Sequence, residues 1–288
     1  MGGMADPLPD HVEQLHPLVR RMLADNPSPY TFHGTQTYIV GVREVAVIDP
    51  GPALDAHVDA ILDATALEEI VAIVCTHTHR DHSPAAALLK QATGAPIIGC
   101  APLTLADDGP RADAAFDTDY EPDSVLADGE TLVGTGWTLQ AIATPGHTSN
   151  HLCYALPEAE ALFSGDHVMG WSTTVVSPPD GDMRAYMASL DRLAARDDCI
   201  YYPGHGDPIA SPQRFVRATA GHRRQREGQI LRLLAEAPQP VPAMVGRMYA
   251  GLDPRLTGAA GRSVLAHLLD LEARSAVVRA GDAWELAA

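Results

Sequence analysis

Seven consecutive residues, Thr76-His77-Thr78-His79-Arg80-Asp81-His82, put three imidazoles and a carboxylate directly after the apolar run Ile70 to Cys75. Imidazole is the commonest nitrogen ligand for zinc and related ions, and a carboxylate beside it supplies the harder oxygen that a second cation takes. Three further motifs each set a His or Asp behind a glycine after a strand-like run: Pro145-Gly146-His147-Thr148, Ser164-Gly165-Asp166-His167 and Pro203-Gly204-His205-Gly206. Glycine lets the backbone turn sharply, so the next side chain points across a sheet edge, where sites on such folds gather.

Two ligand sets follow from these turns. His77, His79 and His147 give three nitrogens and an open position, the shell of a catalytic rather than a structural site. Asp81, His82 and His205 supply a second ion, and Asp166 is the carboxylate placed to bridge the two. The expected cofactor is a pair of Zn2+ ions, with iron or manganese also compatible with the donors. Two adjacent cations acidify a bridging water to hydroxide near neutral pH; one polarises the substrate oxygen and the other holds the leaving anion. Asp81 is the expected catalytic residue, orienting that hydroxide and accepting its proton. With no Ser-His-Asp arrangement and no phosphate-binding glycine loop, the direct reading is hydrolysis of an ester, thioester, lactone, amide or phosphodiester. The other histidines, among them His33, His57, His151, His167 and His222, read as structural or solvated, with His151 and His167 near the site.

The elements that must carry these turns are legible from periodicity. Asp10 to Ala24 reads as an amphipathic helix, with Val12, Leu15, Val19, Met22 and Leu23 at helical spacing. A hairpin is expected over Tyr38-Ile39-Val40 and Val45 to Ile48, closed by the turn Asp49-Pro50-Gly51. A helix (54–65), a strand (70–75), a helix (84–93) and a strand (96–99) then alternate, which argues for sheets covered by helices. Residues 102–122 form an acidic loop with Asp107, Asp108, Asp113, Asp117 and Asp119. Strands resume over 124–163, a helix is expected over Asp182 to Ala195 with Met183 and Met187 in the core, and a strand at Ile200-Tyr201-Tyr202. After it come a long Arg-rich helix (212–234), two shorter helices (243–249 and 262–273) and a terminal hairpin (277–286), an order that looks like a winged helix. The domain reading is an N-terminal helix or extension (1–29), a catalytic domain (30–211), and the long helix with a winged-helix-like domain (212–288).

The 288 residues, 46% hydrophobic, allow a full core, and the net charge of -17 is uneven: residues 1–212 carry 9 basic and 30 acidic groups, residues 213–288 carry 11 and 7. An acidic catalytic domain disfavours diffuse nucleic-acid binding, whereas the basic tail, with Arg223, Arg224, Arg226, Arg262, Arg274 and Arg279, leaves nucleic-acid binding open beside a small-molecule substrate. Cys75, Cys100, Cys153 and Cys199 show no paired spacing and read as buried reduced thiols. With no signal-like start and no long apolar run, no membrane association is expected and the location reads as cytoplasmic. The oligomeric state is left open.

The run Thr76 to His82, Gly146-His147-Thr148, Gly165-Asp166-His167 and Pro203-Gly204-His205-Gly206, together with the Asp49-Pro50-Gly51 turn, resembles the metallo-β-lactamase superfamily over roughly residues 30 to 210. The resemblance implies an α/β fold, an αββα sandwich with a dinuclear zinc site along one edge. Arg80-Asp81-His82-Ser83, Gly181-Asp182-Met183 with Tyr186 to Leu190, and His222-Arg223 to Leu231 ahead of a winged-helix-like tail look like the β-lactamase-like protein 2 group, whose members include a metal-dependent endoribonuclease acting on single-stranded RNA. A glyoxalase II-like thioesterase, a nucleic-acid-binding module built on the tail, and a mononuclear iron dioxygenase on the same scaffold are the alternative functions.

Overall fold

Side-chain alternation along one strand fixes the layering. In Leu152–Leu156, residues Leu152, Tyr154 and Leu156 enter one apolar cluster while Cys153 and Ala155 enter another, the period of two expected of a strand buried on both faces. The computed structural model describes residues 8–103 and 116–288. The first sheet has seven strands in chain order: β1 (Glu13–His16), β2 (Val19–Leu23), β3 (Gln36–Val42), β4 (Glu44–Ile48), β5 (Glu69–Cys75), β6 (Ile97–Gly99) and β7 (Ser124–Val125). The second has the order β12 (Ile200–Pro203), β11 (Ala161–Gly165), β10 (Leu152–Leu156), β9 (Trp137–Ala143) and β8 (Thr131–Gly134). Between them lies a core that includes Ile39, Ile73, Leu139, Tyr154 and Phe163.

Helices α1 (Asp55–Ala64) and α2 (Ala85–Thr93) supply Val58, Ile61 and Leu89 to the first cluster. The second sheet's outer face meets α3 (Met183–Ala194) and the start of α4 (Pro212–Glu236) through Tyr186, Leu190, Val216 and Ala220. The layers are therefore αββα, as expected. Helix α4 is 25 residues long and serves two cores: its later residues Ile230, Leu233 and Leu234 pack with α5 (Val241–Met248), α6 (Thr257–Ala273) and the hairpin of β13 (Val277–Ala280) and β14 (Ala283–Leu286). This is the expected winged-helix arrangement. Among the described residues no helix is long and apolar enough to cross a membrane. The four cysteines are free; Cys75, Cys100 and Cys153 are buried as expected, whereas Cys199, just ahead of the edge strand β12, is exposed and departs from that reading.

One secondary-structure expectation fails. Asp10 to Ala24 does not form a helix: its residues supply the antiparallel strands β1 and β2. Pro17 would remove a hydrogen bond from the helix interior and clash with the preceding turn. Strand β2 instead pairs with β3 from Val19↔Val40 to Leu23↔Gln36 and buries Val19, Met22 and Leu23. The 1–29 segment thus contributes the outer strands of the first sheet. Of the acidic loop, Asp107, Asp108 and Asp113 lie outside the described residues. Beyond them Phe116 bridges His79, and Asp117 accepts from Ser83 Oγ at 2.7 Å.

Candidate metal centre

Strands β5, β11 and β12 each run toward the same edge and release a turn there, because β4/β5/β6 and β11/β12 pair in parallel. The turn after β5 carries His77, His79, Asp81 and His82; the link from β9 to β10 carries His147; Asp166 follows β11 and His205 follows β12. Two glycines allow the approach. A Cβ at Gly146, whose φ is +138°, would stand 2.3 Å from the Tyr186 backbone, and one at Gly204 would meet Asp166 Oδ1 at 2.6 Å and His82 Cε1 at 2.7 Å.

All seven residues named from the sequence come together. His79 Nδ1 lies 2.9 Å from His77 Nε2 and 3.1 Å from His147 Nε2, so three nitrogens converge on one point. Beside it, His205 Nε2 is 3.3 Å from His82 Nε2 and 3.1 Å from Asp81 Oδ2. Asp166 stands between the groups, with Oδ1 3.4 Å from both His82 Nε2 and His205 Nε2, and Oδ2 3.7 Å from His147 Nε2. Its Oδ1 is buried without a hydrogen-bond partner. A buried carboxylate oxygen without a hydrogen bond, set among converging ring nitrogens, is what a pair of cations would satisfy. The donor set fits such a pair.

The rings are oriented from behind. His82 Nδ1 is 3.0 Å from Asp49 Oδ2, His147 Nδ1 is 2.8 Å from the Val175 carbonyl and His205 Nδ1 is 3.0 Å from the Gly34 carbonyl. The Thr76 hydroxyl donates to Asp49 Oδ2 at 2.7 Å and so accepts from His77 Nδ1 at 2.9 Å. In each case the ring is held through Nδ1, with Nε2 turned inward. His79 presents Nδ1 instead, with its ring stacked on Phe116 at 4.7 Å. His151 is a support as expected: its Nε2 accepts from the Asp166 N–H at 3.2 Å and its Nδ1 meets Thr144 Oγ1 at 2.8 Å.

Electrostatics divides the two groups. Burial lowers His77 far below its ordinary pKa and His79 to about 3, and the neighbouring imidazoles push the same way, so both are neutral donors. Burial would also lower His82 and His205, but the Asp81 and Asp166 carboxylates outweigh it, raising His82 and taking His205 to about 10. Burial pushes the two carboxyls up, yet the same pair of rings holds both below the usual range. Two carboxylates therefore keep positive charge at this spot, as protons when no metal competes.

Sequence reading treated Asp49 as a turn residue and missed its task. It sits at φ +48°, a conformation rare outside glycine, and is 2% exposed, accepting from the Thr76 N–H at 2.8 Å as well as from the Thr76 hydroxyl and His82. The sequence places it only in a turn after β4; its nearness to the end of β5 comes with the strand pairing.

Comparison with known proteins agrees with this geometry. The metallo-beta-lactamase superfamily profile matches residues 30–205, and that of the beta-lactamase associated winged helix domain matches 241–284. An atrochrysone carboxyl ACP thioesterase of Aspergillus chevalieri is 34% identical over 244 residues, covering 83% of this chain and 72% of the relative. The beta-lactamase-like protein 2 homolog of Caenorhabditis elegans is 32% identical over 229 residues, covering 78% and 74%. A beta-lactamase domain protein from Burkholderia ambifaria shares the fold with a TM-score of 0.82 at 21% identity, covering 98% of this chain and 96% of that one. Sandwich, edge site and profile matches agree: the chain belongs to the metallo-beta-lactamase superfamily, as a hydrolase of that fold with the associated winged helix domain at its C-terminal end.

Proposed function

We propose that the chain is a dinuclear zinc hydrolase of acyl thioesters or esters, acting in the cytoplasm on a small-molecule or carrier-bound acyl group. The observation that carries this reading is the cavity over the two donor groups, about 280 Å³, into which His79, Asp81, His147, Asp166 and His205 open beneath walls of Tyr30, Phe116, Met169 and Val175. Apolar and aromatic walls suit an acyl group and keep bulk water from the reacting carbonyl. When bound, a pair of Zn2+ ions supplies a nucleophile at neutral pH and polarises the carbonyl oxygen.

The chain's own groups supply the rest. Asp81 is ionised and partly exposed at the mouth, so it can orient the attacking water and take its proton. Asp166, tied through its N–H to His151, keeps its two oxygens between the two groups. Relatives named as acyl carrier protein thioesterases support an acyl substrate, and three buried free thiols support a reducing compartment.

A phosphodiester backbone needs several nearby cations, and among the described residues Arg80 is the one arginine lining this cavity, its Nε given to the Phe116 carbonyl. The six tail arginines named from the sequence are engaged too. Arg224 pairs with Asp191, Arg274 with Glu227 and Asp270, and Arg279 with Glu272; Arg226 stacks on Tyr249; Arg223 and Arg262 donate to the Thr174 and Pro178 carbonyls. Turnover of a panel of thioesters, esters, lactones, β-lactams and single-stranded RNA by the zinc-loaded chain decides the matter. Thioester or ester hydrolysis should dominate, and RNA cleavage with no acyl hydrolysis would refute the reading.

A further inference from the structure

A second cavity of about 250 Å³ adjoins the first, between the sandwich and the C-terminal helices, and Tyr30, Met169 and Val175 belong to the walls of both. Arg223 of α4 lines it and is only 3% exposed. Its guanidinium donates to the Thr174 carbonyl and lies 5.3 Å over the Tyr186 ring. Among the described residues it has no carboxylate partner, unlike neighbouring Arg224, which pairs with Asp191. Arg223 Nε is buried and makes no hydrogen bond.

Two other lining residues share that condition, for Trp171 Nε1 and His222 Nδ1 are also buried and unpartnered. His222 Nε2 lies 3.3 Å from Arg226 Nε and accepts its proton, so the ring's own proton is on Nδ1. Burial, then Arg223 and Arg226, lower the His222 pKa and keep the ring neutral. The cavity is thus bordered by a buried positive charge and three orphaned N–H donors, and none of its lining residues is acidic, in a chain of net charge -17. Orphaned donors and a buried charge without a carboxylate are each costly, and an anionic oxygen group entering the cavity would relieve those that turn toward it.

We propose that this cavity is a specificity subsite for an oxyanion at the far end of the substrate, either a carboxylate on the acyl side or a phosphate on the thiol side, while the reacting carbonyl occupies the first cavity. The assignment rests on the thioester reading above for the identity of the reacting group, and on Arg223, Trp171 and His222 for the oxyanion.

The test uses the zinc-loaded full chain and matched thioesters over a series of chain lengths. One arm compares carboxylate-ended with methyl-ended acyl groups on N-acetylcysteamine. The other compares one acyl group on pantetheine and on its phosphate ester. At the length that spans both cavities, one oxyanion arm should exceed its neutral counterpart by about tenfold in kcat/KM, about 1.4 kcal/mol, carried by KM. Trp171→Phe and His222→Phe should each shrink that ratio several-fold; Arg223→Lys, which has a structural bond to lose, is a supporting variant. Calorimetric binding of the two oxyanion-bearing ketones, with methylene in place of the thioester sulfur, reads the cavity without turnover. Should no thioester be hydrolysed while ketone binding still weakens in both variants, the subsite stands and the thioester reading falls. Equal use of charged and neutral partners in both arms, or a preference that survives in both Phe variants, overturns the proposal.

Discussion

Replacing Asp49 by Asn tests whether the ligands are poised from behind. The carboxylate receives three donors: Thr76 N–H on Oδ1 at 2.8 Å, and on Oδ2 the Thr76 hydroxyl at 2.7 Å and His82 Nδ1 at 3.0 Å. Asn has the same shape and only one acceptor oxygen. If its oxygen stays toward Thr76 N–H, its amide N–H faces the other two former donors. The Thr76 hydroxyl then turns to donate to His77 Nδ1, and His82 Nδ1 must accept, so both imidazoles move their proton to Nε2, the atom that faces the centre. If the amide flips, an N–H confronts the buried Thr76 N–H and a donor is left unmade, costing about 1–3 kcal/mol of stability. Either way, loss of a carboxylate behind the ligands should weaken metal affinity by about 10- to 100-fold, or about 1.4–2.7 kcal/mol. Chelator competition on the folded variant, with circular dichroism to confirm the fold, measures this. Unchanged affinity for both ions in Asp49→Asn would refute the orienting role.

Other outcomes follow from the same geometry. Asp166→Ala and His79→Ala should each lose metal and nearly all turnover with the fold intact by circular dichroism; two ions retained in Asp166→Ala would overturn the bridging role. Because the His205 pKa in the metal-free chain is raised to about 10, its proton is bound at neutral pH and must leave when metal enters. Affinity at the Asp81, His82 and His205 group should therefore rise with pH up to about 10, and calorimetry in buffers of different ionisation enthalpy should detect proton release at pH 7; a buffer-independent heat contradicts this. Gly204→Ala, whose new methyl would press on Asp166 Oδ1 and His82 Cε1, should reduce metal content and activity together; wild-type values for both would show that the centre tolerates the displacement.

Much of the centre was readable because its ligands obey a local rule. His147, Asp166 and His205 each follow a glycine at a strand end, and the cluster from His77 to His82 carries four ligands in one turn. What escaped depends on partners distant in sequence. The spacing of Leu15, Val19 and Met22 suits a helix face, and only pairing with β3, together with Pro17, settles the stretch as strands. Asp49 becomes an orienting carboxylate only once β5 lies beside β4 and brings Thr76 and His82 to it. The tail arginines looked like a free basic face because Asp191, Glu227 and Asp270, which neutralise several of them, are invisible as neighbours until the helices pack. Arg223 was hidden for the opposite reason: nothing in sequence distinguishes the one whose buried charge finds no carboxylate among the described residues.

Metal content and acyl hydrolysis followed together through stripping and refilling test the central claim most directly. Stoichiometry of two transition-metal ions per chain, thioester or ester hydrolysis abolished by chelator, and recovery in step with the second equivalent of Zn2+ are the expected results. Full hydrolytic activity in a chain stripped of transition metal, or saturation of activity at one equivalent, would contradict a dinuclear centre.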